Sequence, residues 1–275
     1  MTQRIGSAAS IRRIAALATA VLATTVLSAG CGTGDASSEG TGAAPSPSAD
    51  PKAALLAAVP DEKDPAFRFS TVEGGEKFDG LVDPATQGLE LSMSEKSQDP
   101  EFTMGMTFRV IEEDIWVRVK ITGMPGLQDM MKLPKRWMLL DRTKLDDASE
   151  VPVYQNADPA NTAAVIRTAE TVEDRGNGTY GGFADLTANA DIRASFSTVD
   201  VDALGDAAKK VPFTAVVGPD GNLASLTLDV PAAGKQKAMK LVAKYYDFGK
   251  APKISAPTGA EVQKAPASAY EMLNG

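Results

Sequence analysis

The side chains available for chemistry are few in kind. The chain holds one cysteine, Cys31, no histidine, and 36 aspartates and glutamates in 275 residues. Without histidine there is no Ser-His-Asp or Cys-His catalysis, no histidine metal site and no HExxH zinc protease. Carboxylates, lysines, tyrosines and hydroxyls remain, yet no GxSxG, SxxK, P-loop or GxGxxG pattern stands in a setting that could use them. Among so many acids some pair must lie close in space, and a solvated face accounts for such pairs better than a general acid and base. A carboxylate hydrolase is therefore the minor reading. The residues point to a non-enzyme, with no metal and no cofactor.

That leaves the thiol. Cys31 follows Leu27-Ser28-Ala29-Gly30, and upstream come Arg4, Arg12 and Arg13 and then an uncharged run from Ile14 to Val26. Charged, apolar, then small is the order of a secretory signal. The run is well short of the ~20 residues that cross a bilayer core, so a retained transmembrane helix is the weaker reading. The segment Leu27 to Cys31 resembles a bacterial lipobox, which implies that Cys31 receives a diacylglyceryl group and becomes the first mature residue. Two acyl chains suffice for stable anchoring where one is marginal. A lone cysteine elsewhere is usually a buried core thiol, but here it lies between a signal and a Gly/Ser tract. Arg12-Arg13 also fits a twin-arginine signal without its flanking pattern, so either export route is compatible.

Removing the signal takes away three arginines and no acids, moving the formal charge from −8 to −11. So acidic a chain repels phosphate backbones, which argues against nucleic acid as a partner. With the anchor as its sole cysteine, it folds without disulfides and depends on a hydrophobic core. Four parts follow: a signal over 1–30, the lipidated Cys31 and a Gly/Ser/Pro/Ala tether over 31–52, a folded body over 53–262, and a loosely held tail over 263–275. The tether has no apolar period, and twenty such residues span about 25 Å as coil.

The body alternates with period two. Phe67 and Phe69 share one strand face. Leu89, Leu91 and Met93 share another, as do Met104, Met106, Phe108 and Val110, and then Ile115, Val117, Val119 and Ile121. This predicts half-buried antiparallel sheet in a meander. Met124 to Leu133 predicts a short helix with Leu127, Met130 and Met131 on one side. Asp158-Pro159 predicts a helix start with an acidic N-cap, its buried stripe being Ala160, Ala163, Ile166 and Ala169. A hairpin is expected at Gly176-Asn177-Gly178 and a second helix over Asp202 to Lys210. Phe213, Ala215 and Val217 lead into the turn Pro219-Asp220-Gly221-Asn222 and return as Leu226, Leu228 and Val230. Met239 to Phe248 reads as strand, because paired tyrosines and Gly249 outweigh its helix formers.

In the order of these blocks the chain resembles the actinobacterial LppX/LprA/LprF/LprG lipoproteins, a group similar in fold to the LolA and LolB carriers. The resemblance rests on Asp158-Pro159, on Gly178 to Thr187, on Val211 to Leu228, on Tyr245 to Pro257 and on the lipobox. It implies an α+β fold, LolA-like: a curved antiparallel sheet, a half-barrel, with helices covering the concave face around an apolar cavity for acyl chains. It further implies a lipid or lipoglycan ligand and exchange that is passive or passes through an envelope transporter.

By strand parity the candidate lining is Met104, Met106, Phe108, Ile115, Val117, Val119, Leu226, Leu228, Met239 and Leu241, with Met130 and Met131 near a movable lid. Methionine suits surfaces that accept variable apolar shapes, although ordinary core filling explains it too. The leading reading is a carrier or sensor anchored on the extracytoplasmic face of the cell membrane. The alternative is a scaffold lipoprotein with a filled core that acts through its surface. Replacing Cys31 by serine is expected to abolish fatty-acid labelling and release the protein from membranes. Labelling of Cys31→Ser equal to wild type overturns the lipobox reading.

Overall fold

The computed structural model describes residues 50–196 and 198–274. Cys31, the signal and nearly all of the tether lie outside the described residues. The first element is a helix, α1 (Pro51–Ala57), with Asp50 as N-cap accepting from the Lys52 N–H and proline in its first turn. Leu55 is fully buried. The folded body thus includes Pro51 and Lys52, which the expected boundary at 53 left in the tether.

The strands are β1 (Phe67–Glu73), β2 (Glu76–Asp83), β3 (Gly88–Gln98), β4 (Glu101–Ile111), β5 (Asp114–Thr122) and β6 (Trp137–Leu139), then β7 (Val172–Asp174), β8 (Thr179–Ala184), β9 (Val211–Val217), β10 (Leu223–Val230), β11 (Met239–Tyr246) and β12 (Val262–Lys264). Helix α2 (Leu127–Met130) precedes β6, and α3 (Thr162–Thr168), α4 (Ala190–Ser195), α5 (Val201–Leu204) and α6 (Ala267–Leu273) are as short. All twelve strands form one open sheet in the order β12-β6-β5-β4-β3-β2-β1-β11-β10-β9-β8-β7. Every pairing is antiparallel except that of β12 with β6. The fold is α+β with a large open sheet.

Register carries one apolar face across the sheet. Met138, Val117, Phe108, Leu91, Gly80, Phe69 and Tyr245 face one another in turn over seven strands. The break in bulk at Gly80 has a steric cause. A Cβ there would stand 2.2 Å from the Phe69 ring and 2.6 Å from the Glu90 carbonyl, so only glycine lets that ring lie across β2. On the opposite face the guanidinium groups of Arg109 and Arg118 each lie against the Trp137 ring, at 4.6 and 4.4 Å from its centroid. Cation–π attraction and the Arg109–Glu90 pair at 2.6 Å hold this face together.

Several helices differ from the periodic reading. α3 starts at Thr162, four residues after Asp158, and its buried positions are Thr162, Val165 and Ile166. Asp158 still caps it from a distance, its Oδ2 accepting the Ala163 N–H at 2.8 Å. The second expected helix is split, because Gly205 has φ 55°. An α-helical turn, α5, ends there and a 3-10 stretch, Gly205–Lys210, continues. α4, capped by the Asn189 side chain, has no counterpart among the sequence expectations. In α2 the buried residue is Gln128, while Met130 is 80% exposed. The Gln128 amide donates to the Val119 carbonyl and accepts from the Ile121 N–H, so it finishes the edge of β5 where an apolar side chain could not.

The largest correction is the C-terminus. Residues 263–275, expected as a loose tail, supply most of β12 and all of α6, with Ala269 and Tyr270 buried. The Asp141 N–H donates to the Tyr270 hydroxyl at 2.8 Å. Asn274 accepts from the Asp146 N–H and donates to the Lys144 carbonyl. The tail is a clamp on residues 141–146.

Tyr245 is buried and donates to Asp158 Oδ1 at 2.5 Å. Burial first, and then the Asp158 charge and its hydrogen bond, push the Tyr245 phenol well above its ordinary value. Burial and the bond to Glu62 push Tyr154 up as well. A phenol raised in the folded state contributes stability that is complete below the unfolded value of about 10 and is lost as pH rises beyond it. Urea unfolding measured from pH 7 upward should therefore show stability falling above about pH 10. Tyr245→Phe should be less stable at pH 7 and show a shallower alkaline fall; an unchanged slope contradicts this assignment.

Candidate functional site

Among the described residues the helices have seven residues or fewer, too few to roof so wide an apolar face, and irregular chain does much of the work. Residues 141–161 leave β6 and run to α3 as 3-10 turns and extended backbone. Glu62 fastens this segment twice, accepting from the Tyr154 hydroxyl at 2.6 Å and from the Ala157 N–H at 2.9 Å. Asp158 fastens its far end. Buried at 7% exposure, its carboxylate takes the Tyr245 hydroxyl, the Thr162 hydroxyl at 3.0 Å and the Ala163 N–H. Tyr245 belongs to the sheet and Thr162 to α3, so one carboxylate joins floor to roof. Three donors on a buried charge offset the cost of its desolvation.

Between floor and roof lies a cavity of about 690 Å³. Its floor comes from Phe69 and Thr71 of β1, Phe78 of β2, Leu89, Leu91 and Met93 of β3, Leu226 and Leu228 of β10, and Leu241 and Ala243 of β11. Val151, Pro152, Val153, Ala160, Val165 and Phe196 line the roof. The volume falls within the ~300–1,000 Å³ of small-molecule sites, which are largely apolar with a few polar groups. Those groups here include Glu73, Glu76 and Arg142. Glu73 and Glu76 face each other across the β1–β2 turn, and the Thr198 hydroxyl donates to Glu73 at 2.6 Å. Such a lining can hold an apolar chain by burial. Asp158, just outside the lining, is committed to binding the roof down.

Of the expected lining, Leu226, Leu228 and Leu241 border the cavity. Phe108, Ile115, Val117 and Val119 share its sheet face but are 1% exposed or less, packed in solid core with Met138 and Leu140 beside them in the cluster. Met104, Met106, Met131 and Met239 are partly buried against that core, away from the cavity lining, and Met130 projects outward. The sequence list omitted Phe69, Phe78, Leu89, Leu91, Met93 and the whole roof. Alternation marked Leu89, Leu91 and Met93 as a strand face, so that part of the signal was present. The roof has no period to read.

Among the described residues no helix is long and apolar enough to cross a membrane, and no three His, Cys, Asp or Glu side chains are placed to share a metal ion. No protein-family model matches the chain, and no curated protein matches it.

Packed and open parts of one face should respond oppositely to added bulk. Val117→Trp, in solid core, is expected to overpack and destabilise by about 1–3 kcal/mol. Leu91→Trp, half-buried beside the cavity, should leave Tm unchanged or raise it. Thermal melts of both variants check this, and equal destabilisation would mean that the space beside Leu91 is not available.

Proposed function

We propose that the chain is a lipoprotein anchored through Cys31 on the extracytoplasmic face of the cell membrane, and that it carries or senses an acyl-chain amphiphile, a lipid or lipoglycan. The observation that carries this reading is the 690 Å³ apolar cavity between sheet and roof. Burying an acyl chain there gains about 0.8 kcal/mol per methylene, and the lining supplies adaptable side chains such as Met93 beside rigid ones such as Phe69. The open sheet with one covered apolar face agrees with the half-barrel that the likeness to the LppX/LprG lipoproteins and to LolA implies. The tether then lets the body stand off the membrane and meet either the bilayer or an envelope transporter. No group in the cavity lining supplies an energy source, so exchange is passive or driven by the partner.

Native mass spectrometry of gently purified protein tests the reading. Wild type should carry a non-covalent adduct of lipid mass, and Leu91→Trp should carry less while remaining folded. Wild type that is lipid-free and also takes up no added amphiphile would overturn the carrier and favour the scaffold.

A further inference from the structure

The cavity's size and its charges narrow the class of amphiphile, on the premise that it binds one at all. A methylene occupies about as much space as a water molecule, ~30 Å³, so 690 Å³ admits on the order of twenty such groups. That is about one long acyl chain.

The head of such a molecule must meet polar lining, and there the charges are unevenly placed. Arg142 is the sole lysine or arginine that lines the cavity among the described residues. It is exposed, as a group at the mouth should be if the head stays wet while the chain is buried. Among the described residues no carboxylate pairs with it. Its neighbour Asp141 is turned to the Thr143 N–H and hydroxyl, at 3.1 and 2.7 Å, with Lys144 at 4.0 Å. Glu73 and Glu76, the acids of the lining, stand together at the β1–β2 turn, where an anionic head is repelled.

Arg142 is also held in place. It opens the 3-10 turn Arg142–Lys144, which Asp141 caps. Tyr270 of α6 and its C-cap Asn274 grip that turn through Asp141, Lys144 and Asp146. A helix that could have been a free tail thus fixes the backbone from which the guanidinium extends. A guanidinium so presented matches a carboxylate or phosphate through paired N–H donors.

We propose that the cavity takes a single-chain anionic amphiphile, its chain along β3, β1, β11 and β10 and its carboxylate or phosphate on Arg142. Two sources share that chemistry, a free fatty acid and a lysophospholipid.

The test is a competition on the purified full-length protein, read by native mass spectrometry. The four probes are palmitate, palmitoyl-lysophosphatidate, monopalmitoylglycerol and dipalmitoylphosphatidylglycerol. Wild type should take one palmitate or one lysophosphatidate about three- to tenfold in preference to the neutral monoglyceride, the range for a partly solvated charged contact. Which of the two wins identifies the head as carboxylate or phosphate. Arg142→Gln should erase the preference with an unchanged Tm, and Arg142→Lys should restore part of it. The proposal is overturned if the preference survives in Arg142→Gln, if the neutral probe binds wild type equally well, or if the two-chain lipid competes as well as the single-chain ones. Binding of none of the four overturns the carrier reading itself, whereas uptake of the neutral probe without anion preference overturns only the role of Arg142.

Discussion

An open sheet with one apolar face leaves that face to be covered by chain from outside the sheet. In a closed barrel the strands would cover it themselves. Among the described residues β12 and β7 are the edges of the sheet, and the helices run to seven residues at most. Seven residues rise about 10 Å, less than the width of three paired strands at ~4.8 Å each. Coverage therefore falls to irregular chain, which satisfies its backbone through side chains instead of a ladder. Asp158 and Glu62 supply that satisfaction, and Asp158 does so from within the core. Over Val117 and Phe108 the face is solid core. Over β3, β1, β11 and β10 the roof stands away, and the cavity is what remains.

This division explains what could be read in advance. Period two reports which face a residue occupies, and Met104 to Val119, Leu226, Leu228, Met239 and Leu241 do share one face. It does not report where along that face the roof stands off, because that depends on residues 141–161, whose conformation follows no period. Val151-Pro152-Val153 would pass for strand or loop equally well. Met130 and Gln128 show a second limit. Apolarity favoured Met130 for burial, but the last backbone groups of β5 needed an amide, and the polar residue went in.

The ends of the body were misjudged for a related reason. Composition described 263–275 as a tail because Ala-Pro-Ala-Ser-Ala has no apolar stripe. The turn at 141–146 leaves polar backbone groups that Tyr270 and Asn274 satisfy, and Ala269 is small enough to be fully buried. A segment can be fastened by a few hydrogen bonds and one small buried side chain without a legible amphipathic pattern. The opposite terminus shows the same economy. Lys52 of α1 reaches the carbonyls of Arg167 and Ala169, at 3.0 and 2.6 Å, satisfying the C-terminal end of α3 with a cation where the helix dipole favours one.

These fastenings bear on how cargo could enter. An apolar void forfeits dispersion contacts along its walls, so the empty body is the less stable form, and a bound chain stabilises it by mass action. The roof's attachments are unequal. Asp158 holds α3 to Tyr245 through buried groups, in a low-dielectric setting where such bonds are costly to break. Arg142 and its turn are held by one part-buried hydrogen bond to Tyr270 and by the exposed bonds of Asn274, which solvent can replace. Opening by local release therefore favours the Arg142 side over the Asp158 side, since local unfolding selects segments with few buried contacts. The same side presents the guanidinium. On the proposed carrier reading, an anionic head arriving there would meet its counter-charge before its chain had left water, and the chain would follow into a cavity whose far anchor stays in place.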